Sequence, residues 1–120
     1  MTTCEDAANS PLPPVYNLAI YSGDDWTVTI RFEDSDGEPI PVPVTGWASQ
    51  IRASADADVV QADLVIDASE GAEGVLVLSL PHSVTSTLTG GVWDLQNTND
   101  IGEVKTWVCG SVYVSKDVTR

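Results

Sequence analysis

The stretch Trp26-Thr27-Val28-Thr29-Ile30-Arg31-Phe32 decides the fold class. Trp26, Val28, Ile30 and Phe32 alternate with Thr27, Thr29 and Arg31, so an extended chain presents one apolar and one polar face. That period of two marks a half-buried strand, because successive side chains of a pleated strand point to opposite sides. The pattern recurs outward from this stretch. Residues 46–54 place Trp47, Ser49, Ile51 and Ala53 on one side, Gln50 and Arg52 on the other. Leu76, Leu78 and Leu80 alternate with Val75, Val77 and Ser79, apolar on both faces, which predicts a central strand. Trp93 and Leu95 alternate with Asp94 and Gln96, and Val104, Thr106 and Val108 with Lys105 and Trp107, before a closing Val112-Tyr113-Val114. β-branched and aromatic residues dominate these runs, as a packed pleated surface requires.

Turn chemistry punctuates the runs. Ser35-Asp36-Gly37 supplies a left-handed position at glycine, and Asn99-Asp100-Ile101-Gly102 reads as a hairpin loop. Pro39, Pro41 and Pro43 stiffen one connection, and residues 81–88 predict a short helical turn ended by Gly90-Gly91. Residues 53–62 are alanine-rich but lack an apolar stripe, so a loop is expected there. About seven to eight short strands, with turn signals roughly every 8–12 residues, predict an all-β fold: an antiparallel immunoglobulin-like β-sandwich. Residues 1–14 are polar, then proline-rich (Pro11, Pro13, Pro14), and read as an extended N-terminal arm. Such an arm either frays or packs on a neighbouring subunit. Residues 15–120 form the single sandwich domain.

At 120 residues the chain has one domain's length, enough to bury a core without a metal or disulfide staple. Its 18 Asp and Glu against 5 Lys and Arg give a net charge of −13, which argues against gripping nucleic acid or an anionic membrane. No run is apolar enough for a membrane-spanning helix, and the first residues lack the basic and apolar regions of a signal peptide. A cytosol-like compartment, or a particle assembled in one, is expected. Cys4 and Cys109 can pair only if the N-terminal segment folds back onto a late strand; two free thiols are the expectation in a reducing compartment.

Candidate chemistry is sparse. A hydrolytic triad needs a base beside its nucleophile, and the single histidine, His82, sits in a polar turn between Pro81 and Ser83. Cys109 lies in a late strand and is not expected to act with it. Paired carboxylates are numerous, but a small sandwich offers few loops with which to frame a sugar-sized cleft. Asp34-Ser35-Asp36-Gly37, with Asp24-Asp25 from another loop, raises the question of Ca²⁺; prolines stand where the full loop pattern needs its last ligands, and solvated hairpin acids are the simpler reading. Trp26 and Trp93 fall on inward faces, which leaves Trp47 and Trp107 as the one plausible exposed aromatic pair for stacking on a glycan. No catalytic, cofactor or metal residues are assigned, and no enzymatic activity is expected.

The ordered set Ser22-Gly23-Asp24-Asp25-Trp26, Phe32-Glu33-Asp34-Ser35-Asp36-Gly37-Glu38-Pro39-Ile40, Val44-Thr45-Gly46-Trp47, Gly74-Val75-Leu76-Val77-Leu78, Gly90-Gly91-Val92-Trp93-Asp94-Leu95-Gln96 and Thr106-Trp107-Val108-Cys109-Gly110 resembles the small β-sandwich domains of tailed-phage structural proteins. The nearest comparisons are the N-terminal domains of baseplate upper proteins and the sandwich modules of tail-fibre, neck and head-decoration proteins. The resemblance covers about residues 16–120 and rests on turn and core positions. It implies a non-enzymatic virion protein, assembled in the host cytoplasm, that contacts other tail, neck or capsid proteins and forms homo-oligomers in the particle. The alternative is a carbohydrate-binding module for host surface glycans. Edge strands and the N-terminal arm are the expected contact elements.

Overall fold

A computed structural model describes residues 14–116. Among these residues eight strands form two sheets: β1 (Leu18–Tyr21), β2 (Trp26–Arg31), β3 (Trp47–Arg52), β4 (Ala62–Asp63), β5 (Val65–Asp67), β6 (Val75–Leu80), β7 (Gly91–Thr98) and β8 (Val104–Ser115). One sheet has the order β1-β8-β7-β3-β4 and the other β2-β6-β5. The strand order is that of an immunoglobulin-like sandwich: the C, F and G strands, extended by a C′ strand, face a B, E, D layer. Pairing is antiparallel throughout except that β1 runs parallel to β8, with Leu18 opposite Val112 and Ile20 opposite Val114. Of the expected N-terminal arm, only Pro14 belongs to the described residues.

The period-two runs produce the core directly. Ile30 of β2, Ile51 of β3, Leu76, Leu78 and Leu80 of β6, Trp93 and Leu95 of β7, and Val108 and Val112 of β8 are buried between the sheets. Each fully buried aliphatic side chain contributes roughly 1.5–3 kcal/mol by leaving water. The strand that is apolar on both faces, β6, is the central one of its sheet, flanked by β2 and β5. Trp26, Val28 and Phe32 pack against the core but are only partly buried. Their strand lies at a sheet edge, where one flank has no neighbour to cover it. The segment expected to turn helically is a short helix, α1 (His82–Thr85), and residues 53–61 form the expected loop.

One strand departs from simple alternation. Leu95 pairs with Val108 but Gln96 pairs with Thr106, so Trp107 is the extra residue of a β-bulge. A bulge shifts the side-chain parity of everything beyond it. Val108 stays buried, whereas Val104, expected on the same face, is exposed.

The thiol expectation is corrected. Cys109 is disulfide-bonded, and Cys4, the only other cysteine, lies outside the described residues. The physical reason is the course of the entering chain. Cys109 N–H donates to the Pro14 carbonyl at 3.2 Å and the Cys109 carbonyl accepts from Tyr16 N–H at 2.8 Å, so the segment before β1 runs along β8. Gly110 permits that approach: a Cβ there would collide with the Tyr16 carbonyl oxygen. Trp93 fixes the same segment by donating its indole N–H to the Tyr16 carbonyl at 2.7 Å.

Candidate functional site

The two glycine turns lie at one end of the sandwich, because Phe32, just past β2, meets the Trp107 ring beside the β7–β8 connection. They are built alike. In the first, the Asp34 carboxylate accepts from Asp36 N–H at 2.9 Å and Glu38 N–H at 3.0 Å. In the second, the Asn99 side-chain oxygen accepts from Ile101 N–H at 3.0 Å and Glu103 N–H at 2.9 Å. Gly37 (φ 81°) and Gly102 (φ 86°) occupy the left-handed position that closes each three-residue hairpin loop. Asp34 Oδ1 is thus committed to its own turn. No group of three or more His, Cys, Asp or Glu side chains that could hold a metal ion occurs among the described residues.

Between the turns sits an aromatic cluster. Trp107 meets Phe32 at 5.6 Å with an 84° interplanar angle and Trp47 at 5.3 Å with 67°. Edge-to-face contact suits the ring quadrupoles, but it leaves the Trp47 and Trp107 faces without a common plane. Both rings are half-buried; Trp47 donates its indole N–H to the Pro43 carbonyl at 2.7 Å, and Lys105 Nζ lies 4.9 Å above the Trp107 ring. The cluster therefore anchors the proline-rich connection to the sheet end. Exposed Ile40, Val44, Ile101 and Val104 flank it.

The opposite end carries the single histidine. His82 is exposed at the start of α1, and Asp25 Oδ1 accepts from its backbone N–H at 2.7 Å and lies 3.0 Å from its Nδ1. The backbone N–H bond, followed by the side-chain contact, holds the Asp25 carboxyl below its ordinary value. The buried Thr85 hydroxyl donates to the Asp24 carbonyl at 2.7 Å and accepts from Gly23 N–H at 3.1 Å. Asp25 and Thr85 thereby tie α1 to the β1–β2 turn, so Asp24-Asp25 is a structural clasp rather than a partner of the Asp34 loop. This pairing escaped sequence analysis because its members are 57 residues apart.

One carboxylate is perturbed in the other direction. Asp94 is half-buried on β7, and burial raises its pKa against the opposing effects of the Gln96 hydrogen bond and the Arg52 charge. Arg52 itself is occupied, donating to the Ala57 carbonyl at 2.7 Å and to Gln50 Oε1 at 3.0 Å.

No family model and no curated protein matches the chain. Among solved structures it is similar to a chimeric titin Z1Z2 functionalized with an exogenous decorin peptide, at 17% identity and TM-score 0.45, covering 88% of this chain and 90% of that one. It is similar also to Tim-1, at 15% identity and TM-score 0.45, covering 91% and 99% respectively. The immunoglobulin-like assignment rests on the strand order and not on these likenesses.

Proposed function

We propose that this protein is a non-enzymatic structural subunit of a tailed-phage particle, an accessory tail, neck or capsid-decoration protein that works by being bound in place. The observation that carries the reading is a sandwich offering attachment surfaces: among the described residues one long sheet edge is unpaired, and one end presents two braced acidic turns around exposed apolar side chains. A net charge of −13 keeps such a protein soluble before assembly and suits docking on a basic neighbour. The Cys109 disulfide is in keeping with a protein displayed on a virion surface, where disulfides persist. The glycan-binding alternative needs a flat aromatic platform, and the edge-to-face Trp47–Trp107 contact favours attachment over it. Mass spectrometry of purified particles should find the protein in many copies; particles lacking it would remove the reading.

A further inference from the structure

The four sheet edges are unequal. Three are short: β1 has four residues, β4 two, and β5 three, ending on Asp67. Brevity and edge charge are ordinary protections against unwanted strand pairing. The fourth edge, β2, runs six residues with no proline, glycine or bulge.

Which backbone groups that edge presents follows from the β2–β6 register. Phe32 N–H donates to the Gly74 carbonyl at 2.8 Å, one step beyond the Arg31–Val75 pair. Hydrogen-bonded and non-bonded pairs alternate along an antiparallel ladder. Trp26, Val28 and Ile30 therefore bond to β6, and the N–H and C=O groups of Thr27, Thr29 and Arg31 point away from it. None of those three residues has a further backbone partner among the described residues. Their side chains are exposed, and Arg31 makes no hydrogen bond or ion pair there.

We infer that this edge pairs with the same edge of a second copy of the chain, antiparallel about Val28. That register sets Thr27 opposite the partner's Thr29 and Thr29 opposite the partner's Thr27, each pair able to exchange both N–H···O bonds. It also sets Arg31 opposite the partner's Asp25 and Asp25 opposite the partner's Arg31. Asp25 is exposed, with its Oδ1 held by His82, and the Arg31 guanidinium has no counter-charge among the described residues. Trp26 and Ile30 face each other across the junction, so the apolar layer continues from one copy to the next. Charge selects this register. Shifting the axis to Thr29 sets Asp25 against the partner's Glu33, two acids in opposition, and shifting it to Thr27 leaves Arg31 facing Gly23. The product is a two-fold dimer with one continuous six-stranded sheet, β5-β6-β2 joined to β2-β6-β5.

This dimer stands whether or not the particle is a phage, and solution measurements separate the two questions. Sedimentation equilibrium of the full chain should show a concentration-dependent monomer–dimer balance. Arg31→Asp should weaken the dimer by about tenfold or more, because two attractive contacts become repulsive. Asp25→Asn, which keeps an acceptor for the His82 N–H, should weaken it by about threefold or more, since the charge opposite Arg31 is lost. Thr29→Pro should abolish dimerisation while leaving the thermal melt close to wild type, because the lost N–H faces away from β6. A wild type that stays monomeric up to about 1 mM would overturn the inference. So would a folded Thr29→Pro that still dimerises, or a folded Asp25→Asn variant that dimerises as tightly as the wild type.

Discussion

The two sheets are held together in different ways. The five-stranded layer is fastened by polar bonds from side chains to distant backbone: Trp93 to Tyr16, Ser49 to Asp94 and Asn97 to Thr45. The three-stranded layer relies on aliphatic burial through Ile30, Leu76, Leu78 and Leu80 and carries, among the described residues, the one long unpaired edge. A buried polar group must find a specific partner, which fixes strand position; burial of a leucine is non-directional and fixes only proximity. The larger sheet therefore sets the architecture, while the smaller one presents the β2 flank at its edge.

The largest expected effect tests whether the two layers share one core. Leu78 and Leu95 are both fully buried, one on each sheet. Leu78→Ala and Leu95→Ala should each cost about 2–5 kcal/mol in urea unfolding, with a single transition. A Leu78→Ala variant with a separate early transition would break the comparison, making the three-stranded layer an independent unit.

The next effect probes the fastening of the larger sheet. Gly110→Ala puts a methyl against the Tyr16 carbonyl and should destabilise by about 1–3 kcal/mol. Amide exchange should quicken first along β1 while β2 and β6 keep their protection. Equal loosening in both sheets would show that the entering segment is not tethered locally.

The smallest effect is electrostatic and sharpens the contrast, because one aspartate in each layer shifts in an opposite direction. Asp67 of β5 is held low by the backbone N–H of Ser69. It stabilises the fold above its unfolded value, and that support is lost as pH falls through its depressed folded value. Asp94 of β7 is raised by burial. Its ionisation opposes folding above the raised folded value, and the penalty fades as pH falls towards the ordinary carboxylate range. Asp94→Asn should thus raise stability at neutral pH by less than about 1 kcal/mol and leave acid stability nearly unchanged. Thermal melts between acid and neutral pH would check this; a neutral-pH loss would show that the Arg52 charge outweighs burial.

Much of the fold was legible in the chain. Alternation at Trp26–Phe32, the doubly apolar run at Leu76–Leu80 and the glycines at 37 and 102 announced a half-buried strand, a central strand and two tight turns, because these depend on neighbours only a few residues away. The Trp107 bulge was not legible: an extra residue in one strand is defined only against the strand opposite. Nor was the Cys109 disulfide, which depends on the entering segment following β8 in parallel. The surfaces now proposed for contact were legible only in kind, as edge strands; that β2 is the open one follows from sheet order.

By itself, then, the sequence determined periodicity, turn positions, the inward set of apolar residues and the acidic balance, all properties of local backbone geometry and side-chain chemistry. Tertiary structure alone decided which strands became neighbours: β1 beside β8, Asp25 against His82, and Arg31 on the edge strand of the smaller sheet. Those outcomes join residues far apart in the chain, and the physical reason is that non-local pairing is set by how two apolar faces close over each other, which no single stretch contains.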